Sequence, residues 1–242
     1  MQEYSHETYG EHVAGVYDDW YTYYDPAAID FLAELARCGK ALELGIGTGR
    51  IALPLAATGV EVHGIDAAAS MISRLRSKPG GDRLTVTQGN FAEVPVADDE
   101  KFSLVYIAFN TFYNLTSQEE QVQCFRNVAA HLEPGGCFAI EAFVPDVTRF
   151  NHGQANWASK VTMDVVELDV GQHDPVTQRV YSQKVVITDG NVRLYPLQIR
   201  YCWPSEFDLM AQLAGLRLRE RWTNWKREPF TDKSEHHISV YE

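Results

Sequence analysis

Three glycines and two carboxylates stand at positions where they can bind a nucleotide-like ligand. Gly45, Gly47 and Gly49 alternate with other residues in one short segment. Because glycine lacks a Cβ, the backbone can turn sharply there and a ligand can lie close against it. Glu43 precedes the first glycine by two residues, and Asp66 follows the next apolar segment. A carboxylate at the position of Asp66 can accept hydrogen bonds from both hydroxyls of a ribose.

The apolar pattern predicts the elements that position these residues. Residues 41–44 are expected to form a buried strand, and a helix is expected from about Thr48, after the glycines. Residues 60–65 predict the next strand, which ends beside Asp66. Strand, glycine-rich loop and helix form the mononucleotide-binding half of a doubly wound α/β fold. Arg50 stands where the dinucleotide fingerprint G-x-G-x-x-G has its third glycine, which argues against an NAD-type oxidoreductase.

This part of the chain resembles motifs I and II of the class I S-adenosylmethionine-dependent methyltransferases. The resemblance rests on the run Glu43-Leu-Gly-Ile-Gly-Thr-Gly49 followed by Asp66, and later segments extend it over most of the chain. It implies a Rossmann-like seven-stranded α/β sheet that ends in an antiparallel hairpin. It implies S-adenosylmethionine as the cofactor, with Asp66 on the ribose, Gly45 and Gly47 near the methionine part, and Glu43 supporting the loop.

The resemblance also indicates the other cofactor-binding residues. A helix predicted over 67–76 carries Met71, which suits either the adenine pocket or the core. Asn90 follows the third strand and can hydrogen-bond the purine edge, although the family more often has aspartate there. The expected cofactor-binding residues are Tyr17, Glu43, Gly45, Gly47, Asp66, Ala67, Met71, Asn90, Phe91 and Ala108.

Aromatic residues are concentrated before the first strand, and two interpretations of them stay open. In the resembling enzymes a segment at this place closes over the active site, which predicts an aromatic cap and helix over 1–39. Alternatively, these side chains pack the helix that begins at Pro26, with Asp25 as its N-cap, against the sheet. The cap interpretation brings Tyr17, Tyr21 and Tyr24 to the active site.

The acceptor region is predicted after the apolar run 102–108, which is typical of a buried parallel strand. Asn110 follows that strand without the Pro-Pro of nucleobase and glutamine methyltransferases, and the sequence resembles the Asn-Ser/Thr-Phe of small-molecule enzymes. Between 161 and 203 the pattern predicts three β-segments, an antiparallel meander inserted as a lid or dimer surface. The expected substrate-binding residues are Tyr21, Asn110, Tyr113, Phe143, Trp157 and Tyr201.

The expected organisation is therefore a cap over 1–39, a methyltransferase core over 40–150 and 204–242, and a meander lid over 151–203. In the core, a capping box at Ser117 and Glu120 predicts a helix that ends at His131. The Pro-Gly-Gly run at 134–136 predicts a turn before the fifth strand.

Methyl displacement from a sulfonium depends mainly on alignment, and it needs a base only if the acceptor must lose a proton. The candidate catalytic residues are His152, His236 and Tyr24, with His237 considered as well. No His, Cys, Asp and Glu cluster has the spacing of a metal site, so no metal is expected. A non-methylating cofactor-binding protein or a cyclase on the same fold remains an alternative, as does, less favoured, the NAD-type oxidoreductase.

The composition of the chain limits the classes of partner that it is expected to bind. A net charge of −12 disfavours a nucleic-acid backbone as partner. The sequence shows no signal peptide and no apolar run that could cross a membrane. Its four cysteines, Cys38, Cys124, Cys137 and Cys202, lack C-x-x-C spacing and are expected to be reduced core residues of a cytoplasmic protein. The expected partner is a small-molecule substrate of bacterial secondary metabolism, with a homodimer as a possibility.

Overall fold

The computed structural model describes residues 4–37 and 39–242, and this part of the chain forms two β-sheets with helices around the larger one. The helices are α1 (Thr8–Val13), α2 (Tyr17–Trp20), α3 (Pro26–Ala36), α4 (Ala52–Ala57), α5 (Ala69–Arg76), α6 (Gln118–His131) and α7 (Pro204–Leu213). The strands are β1 (Lys40–Leu44), β2 (Glu61–Asp66), β3 (Thr85–Gln88), β4 (Phe102–Ile107), β5 (Leu132–Phe143), β6 (Gln154–Val161), β7 (Val165–Asp174), β8 (Arg179–Thr188), β9 (Asn191–Arg200), β10 (Leu218–Trp222) and β11 (His236–Tyr241). Short 3-10 helices lie at Gly81–Arg83, Thr111–Asn114 and Val147–Arg149.

The larger sheet has the strand order β10-β11-β5-β4-β1-β2-β3. Strands β1 to β5 run parallel, whereas β11 pairs antiparallel with both β5 and β10. Side chains of the central strand β4 alternate between two core clusters, with Val105 and Ile107 in one and Leu104 and Tyr106 in the other. The predicted doubly wound seven-stranded sheet with a final reversed hairpin is confirmed.

Two helix starts follow from local capping, as predicted. Asp25 accepts a hydrogen bond from the backbone N–H of Ala27 (3.0 Å), and Pro26 occupies the first turn of α3. Ser117 and Glu120 form the expected capping box of α6, which satisfies backbone N–H groups that have no partner within the helix.

The helix predicted from Thr48 begins only at Ala52, so that expectation is wrong in its start. Gly47 and Gly49 have φ of 54° and 78°, a left-handed conformation that cannot belong to an α-helix. The next helix likewise starts later than predicted, at Ala69. The sequence signal of a glycine loop therefore gives the place of the turn more reliably than the first helical residue.

The Pro-Gly-Gly run is not a turn that precedes β5, as predicted, but lies inside that strand. Phe102 pairs with Leu132 and Leu104 pairs with Cys137, so the residues between the two β5 positions form a bulge. Gly135 takes a φ of 81° within the bulge. The extra residues bend the strand without ending it, because pairing with β4 resumes immediately.

The inserted meander has four strands, in the order β6-β7-β8-β9, whereas the sequence predicted three. The missed strand is β6, whose residues are exposed except for Ala155. Because an edge strand of this kind buries almost nothing, it carries no apolar alternation. The three predicted segments correspond to β7, β8 and β9, with the predicted hairpin turn at Gly190 (φ 72°).

A buried arginine joins the meander to the larger sheet's helices. Arg200, at the end of β9, is 5% exposed. Its guanidinium donates to Gln121 Oε1 on α6, to Gln178 Oε1 (2.7 Å) and to Glu206 Oε1 on α7 (3.2 Å). A buried charge is tolerated when its donors are paired in this way, so these contacts fix the meander's position.

Three of the four cysteines, Cys124, Cys137 and Cys202, are buried and free, which confirms the prediction of core thiols for them. Cys38 lies outside the described residues. None of the helices in the described part of the chain is long and apolar enough to cross a membrane.

Candidate active site

The glycine loop connects β1 to α4 and is anchored to the neighbouring strand. The backbone N–H groups of Gly45 and Ile46 both donate to the carbonyl of Ile65 on β2, at 2.8 and 2.9 Å. A Cβ at Gly45 would overlap the side chain of Thr111, whereas a Cβ at Gly47 would meet no atom closer than 4.0 Å. Packing therefore requires the first glycine, while the second faces open space in which a ligand can lie.

Asp66 joins the tip of β2 to this loop. Its Oδ2 accepts a hydrogen bond from the N–H of Gly47 (2.8 Å), and its Oδ1 accepts one from the N–H of Ala68 (2.9 Å). Burial raises the pKa of the carboxyl, and these two backbone donors oppose the rise because they stabilise the charged form. The carboxylate is thus held in place beside the loop.

The loop and Asp66 form one wall of a cavity. The cavity is lined by the predicted cofactor residues Tyr17, Gly45, Gly47, Asp66, Ala67, Met71, Asn90 and Phe91. Ala108, also predicted, does not line it and lies in the core at the end of β4.

Glu43 lies under the loop and not in the cavity. The side chain is 4% exposed, and its Oε2 accepts a hydrogen bond from the Tyr106 hydroxyl (2.9 Å). Burial raises the pKa of Glu43 to about 8, which the Tyr106 hydrogen bond counteracts only in part. The residue therefore carries a proton for much of the time at neutral pH, and it can support β1 without placing a full charge in the core.

The roof of the cavity comes from the N-terminal segment, including residues that the sequence analysis did not assign to the site. His6, Tyr9 and Gly10 of this segment line the cavity. Thr111 and Asn114, which follow β4, line it as well. A Cβ at Gly10 would overlap the side chain of Ala68, so glycine permits the close approach of α1 to α5. Tyr9 belongs to the aromatic N-terminal run, but nothing in the sequence pattern singles out the other four.

Polar contacts hold this roof on the loop. Asp18 on α2 accepts hydrogen bonds from the Thr48 hydroxyl (2.7 Å) and from Lys78 Nζ (2.8 Å). Lys78 also donates to the backbone carbonyl of Thr48 (2.8 Å). The N-terminal segment is thus tied to the glycine loop and to the end of α5 at one point.

The segment that follows the carboxyl end of β4 lies beside the glycine loop. Phe109 and Asn110 have φ of 57° and 63°, a conformation that non-glycine residues rarely adopt and that occurs often at functional sites. Asn110 Oδ1 accepts from the N–H of Phe143 (2.6 Å), and the Tyr113 hydroxyl donates to the carbonyl of Phe143 (2.7 Å). Predicted substrate residues Asn110 and Tyr113 therefore join β4 to β5. Tyr21 packs edge-on against Phe109 (ring centroids 4.9 Å).

A second cavity, of about 220 Å³, lies between the end of β5 and the meander. Three predicted substrate residues, Phe143, Trp157 and Tyr201, line it. Phe143 is held by Asn110, and the next residue, Thr111, lines the first cavity. The two cavities thus approach each other at the carboxyl end of β4, where ligands of parallel α/β sheets bind.

The predicted catalytic residues are not brought together. His152 and His236 are exposed, and Tyr24 packs against the core cluster around α3; none of them lines either cavity. His237 is buried, and burial lowers its pKa to about 3, which keeps the imidazole neutral. Across residues 4–37 and 39–242, no group of three or more His, Cys, Asp or Glu side chains is arranged to hold a metal ion.

Comparison with known proteins places this geometry in context. Residues 41–136 match a family described as "Methyltransferase domain". The cypemycin N-terminal methyltransferase of Streptomyces sp is 27% identical over 204 residues, covering 83% of this chain and 82% of that protein. The structure of the CcbJ methyltransferase from Streptomyces caelestis superposes with a TM-score of 0.92 at 38% identity, over 99% of both chains. SAM-bound CalS10 from Micromonospora echinaspora, an amino pentose methyltransferase, shares the fold with a TM-score of 0.66 at 17% identity, over 100% of this chain and 99% of that one.

Proposed function

The chain belongs to the class I S-adenosylmethionine-dependent methyltransferases, and from that premise we propose that it methylates an amine nitrogen of a small molecule in bacterial secondary metabolism. S-adenosylmethionine is its methyl donor and S-adenosylhomocysteine the product. The observation that carries the choice of a small acceptor is a second cavity near the carboxyl end of β4, which the Asn110–Phe143 hydrogen bond links to the first. The first cavity contains Gly47 and Asp66, and the second lies between the end of β5 and the meander.

The residues of the first cavity fit the cofactor. Asp66, already fixed by two backbone donors, would accept the ribose hydroxyls. Gly47 leaves space for the methionine part, and Asn90 and Phe91 line the part of the cavity suited to the purine. Bound there, the cofactor supplies a methyl group on a sulfonium, whose neutral thioether leaves without an acid.

Alignment accounts for most of the expected rate enhancement. Asn110 and Tyr113 fix the end of β4 against Phe143, so the walls of both cavities keep a constant relation to each other. The rings of Tyr17, Tyr21 and Phe109 pack in series at that place, with centroid distances of 4.8 and 4.9 Å. Holding two reactants in line in this way corresponds to effective molarities on the order of 10⁵ M or more.

Nitrogen is favoured over oxygen as the accepting atom because of a relative of this chain, the cypemycin N-terminal methyltransferase, whose name points to an N-terminus as the acceptor. In its neutral form an amine attacks the methyl group directly, whereas an alcohol must lose its proton during transfer.

The proposal also assigns a role to each segment of the chain. We assign the N-terminal segment 1–39 as a cap on the cofactor, the meander 151–203 as a lid on the acceptor, and the remainder as the core. The homodimer expected from the meander is tested by size-exclusion chromatography with light scattering, in which a mass of one chain contradicts it.

The test uses S-adenosylmethionine with a labelled methyl group and matched acceptor pairs. The pairs are glucosamine with glucose, alanyl-leucine with its N-acetyl form, and benzylamine with benzyl alcohol. We expect label in the amine member of at least one pair, with an equal amount of S-adenosylhomocysteine. Label in an alcohol alone, or no transfer to any amine, contradicts the proposal. Calorimetry that detects NADH binding and no binding of S-adenosylmethionine would contradict the cofactor as well.

A further inference from the structure

A tyrosine and a histidine form a part-buried pair at the wall of the acceptor cavity. Tyr201 follows β9, is 5% exposed, and lines the cavity between β5 and the meander. Its hydroxyl lies 2.9 Å from Nε2 of His173, at the end of β7. The His173 ring stacks on Phe150 (centroids 4.4 Å, interplanar angle 23°), which lines the same cavity. The imidazole is thus held behind the cavity wall and reaches it through the Tyr201 hydroxyl.

We propose that Tyr201 and His173 form a proton relay that removes the proton from the acceptor's ammonium group before methyl transfer. The relay rests on the proposed amine methylation, and it adds to that reaction the group that makes the amine reactive. Tyr201 is the residue that touches the acceptor, and His173 acts through it.

The reaction requires such a step because an alkylamine is mostly protonated at neutral pH. A lysine-like ammonium has a pKa of about 10, so its lone pair is unavailable for attack. In the relay the ammonium N–H bond breaks and its proton passes to the Tyr201 oxygen, while the Tyr201 O–H proton passes to His173 Nε2. This leaves a neutral amine, a neutral tyrosine and an imidazolium. The freed lone pair then forms the bond to the methyl carbon as the carbon–sulfur pair leaves with sulfur, and the imidazolium returns its proton to solvent.

Tyrosine alone is not suited to this role. Burial raises the pKa of Tyr201, and the nearby carboxylate of Glu206 adds to the rise while Arg200 opposes it. The side chain therefore stays a neutral hydroxyl, which can pass a proton on but cannot keep one. His173 supplies the nitrogen that faces the Tyr201 hydroxyl. The ring stacked on its other side, Phe150, is uncharged.

The relay predicts that replacing either residue lowers activity in a pH-dependent way, measured as kcat with a panel amine that the enzyme methylates. Tyr201→Phe and His173→Gln should each lower kcat about 100-fold at pH 7. Their deficits should shrink to within roughly 3-fold near pH 10, where the free amine needs no base.

Tyr181→Phe serves as the matched control, because Tyr181 is a half-exposed tyrosine of β8 outside the acceptor cavity and should leave the profile unchanged. A deficit of equal size at every pH identifies the pair as packing only and overturns the relay, as does full activity of both variants at pH 7. Should the variants fold poorly by melting temperature, the ratio of each variant's kcat at pH 7 to its kcat at pH 10 decides, because a smaller folded fraction lowers both values alike, and a ratio equal to that of the wild type excludes the relay. Absence of transfer to every amine instead refutes the proposed function itself.

Discussion

Replacing Gly47 by alanine should weaken cofactor binding while leaving the fold nearly intact. Gly47 lines the first cavity with φ of 54°, and a Cβ built there meets no atom within 4.0 Å other than the Gly45 carbonyl oxygen, at that limit. In the proposed binding mode the added methyl group therefore enters the space of the cofactor. The N–H of residue 47 remains available to Asp66, so the loop keeps its anchor.

The cost of Gly47→Ala in folding stability can be separated from its cost in cofactor affinity. A non-glycine residue in the left-handed region costs roughly 1–2 kcal/mol, which lowers the melting temperature of a chain this size by about 2–8 °C. Overfilling a packed site by one methyl group costs about 1–3 kcal/mol, which corresponds to a rise in Kd of roughly 5- to 150-fold. The second penalty applies only when the cofactor is bound.

Gly190→Ala is the matched control for the cost of placing a non-glycine residue in the left-handed region. Gly190 has φ of 72° at the tip of the β8–β9 hairpin, and a Cβ there has nothing within 4 Å. It should lower the melting temperature by a similar amount and leave the calorimetric Kd for S-adenosylmethionine unchanged. A Gly47→Ala variant that binds the cofactor with wild-type affinity would refute the reasoning, because the cofactor would then not lie against the loop.

Two further predictions concern buried titratable groups. Burial raises the pKa of Glu43 to about 8, so the native state holds a proton that the unfolded chain releases above its ordinary pKa of 4.5, and stability falls as pH rises between these values. Glu43→Gln should therefore lose less unfolding free energy than the wild type between about pH 5 and pH 8 in urea titrations; equal losses contradict this. Burial lowers the pKa of His237 from 6.5 to about 3, so only the unfolded chain gains a proton in this range, and stability falls as pH decreases through it. His237→Phe, which also removes the buried unpaired Nε2, should raise the melting temperature relative to wild type more at about pH 5 than at about pH 8, and an equal change at both pH values contradicts this.

The cofactor half of the molecule is predictable from sequence because its signals are local. The strand before Gly45, the glycine loop and Asp66 at the next strand's end lie within some 25 residues, and parallel pairing brings them together. The final hairpin and the start of α6 likewise follow from short patterns. In each case the side chains that form the signal are those that build the element.

The rest of the site could not be predicted from the sequence, because it depends on contacts between residues that are far apart in the chain. His6 lies 3.2 Å from Asn90, 84 residues away, and no periodicity in the N-terminal segment indicates that contact. The His173–Tyr201 pair follows from how β7, β8 and β9 are registered, which the turns alone do not specify. Without that register, the sequence analysis selected His152 as a candidate base because it follows β5 closely in the chain, but its side chain is exposed.

The strands of the meander differ in how closely they approach the cofactor side of the molecule. The family match at residues 41–136 ends before the meander begins at Gln154. Tyr195 on β9 packs with Val13 and with Met71, which lines the first cavity, whereas Trp157 on β6 lines only the cavity assigned to the acceptor. A substitution at Trp157 therefore reshapes the acceptor chamber and leaves the Asp66–Gly47 contact as it was. An enzyme built in this way can diversify toward new natural products through its outermost inserted strand, without first losing its methyl donor.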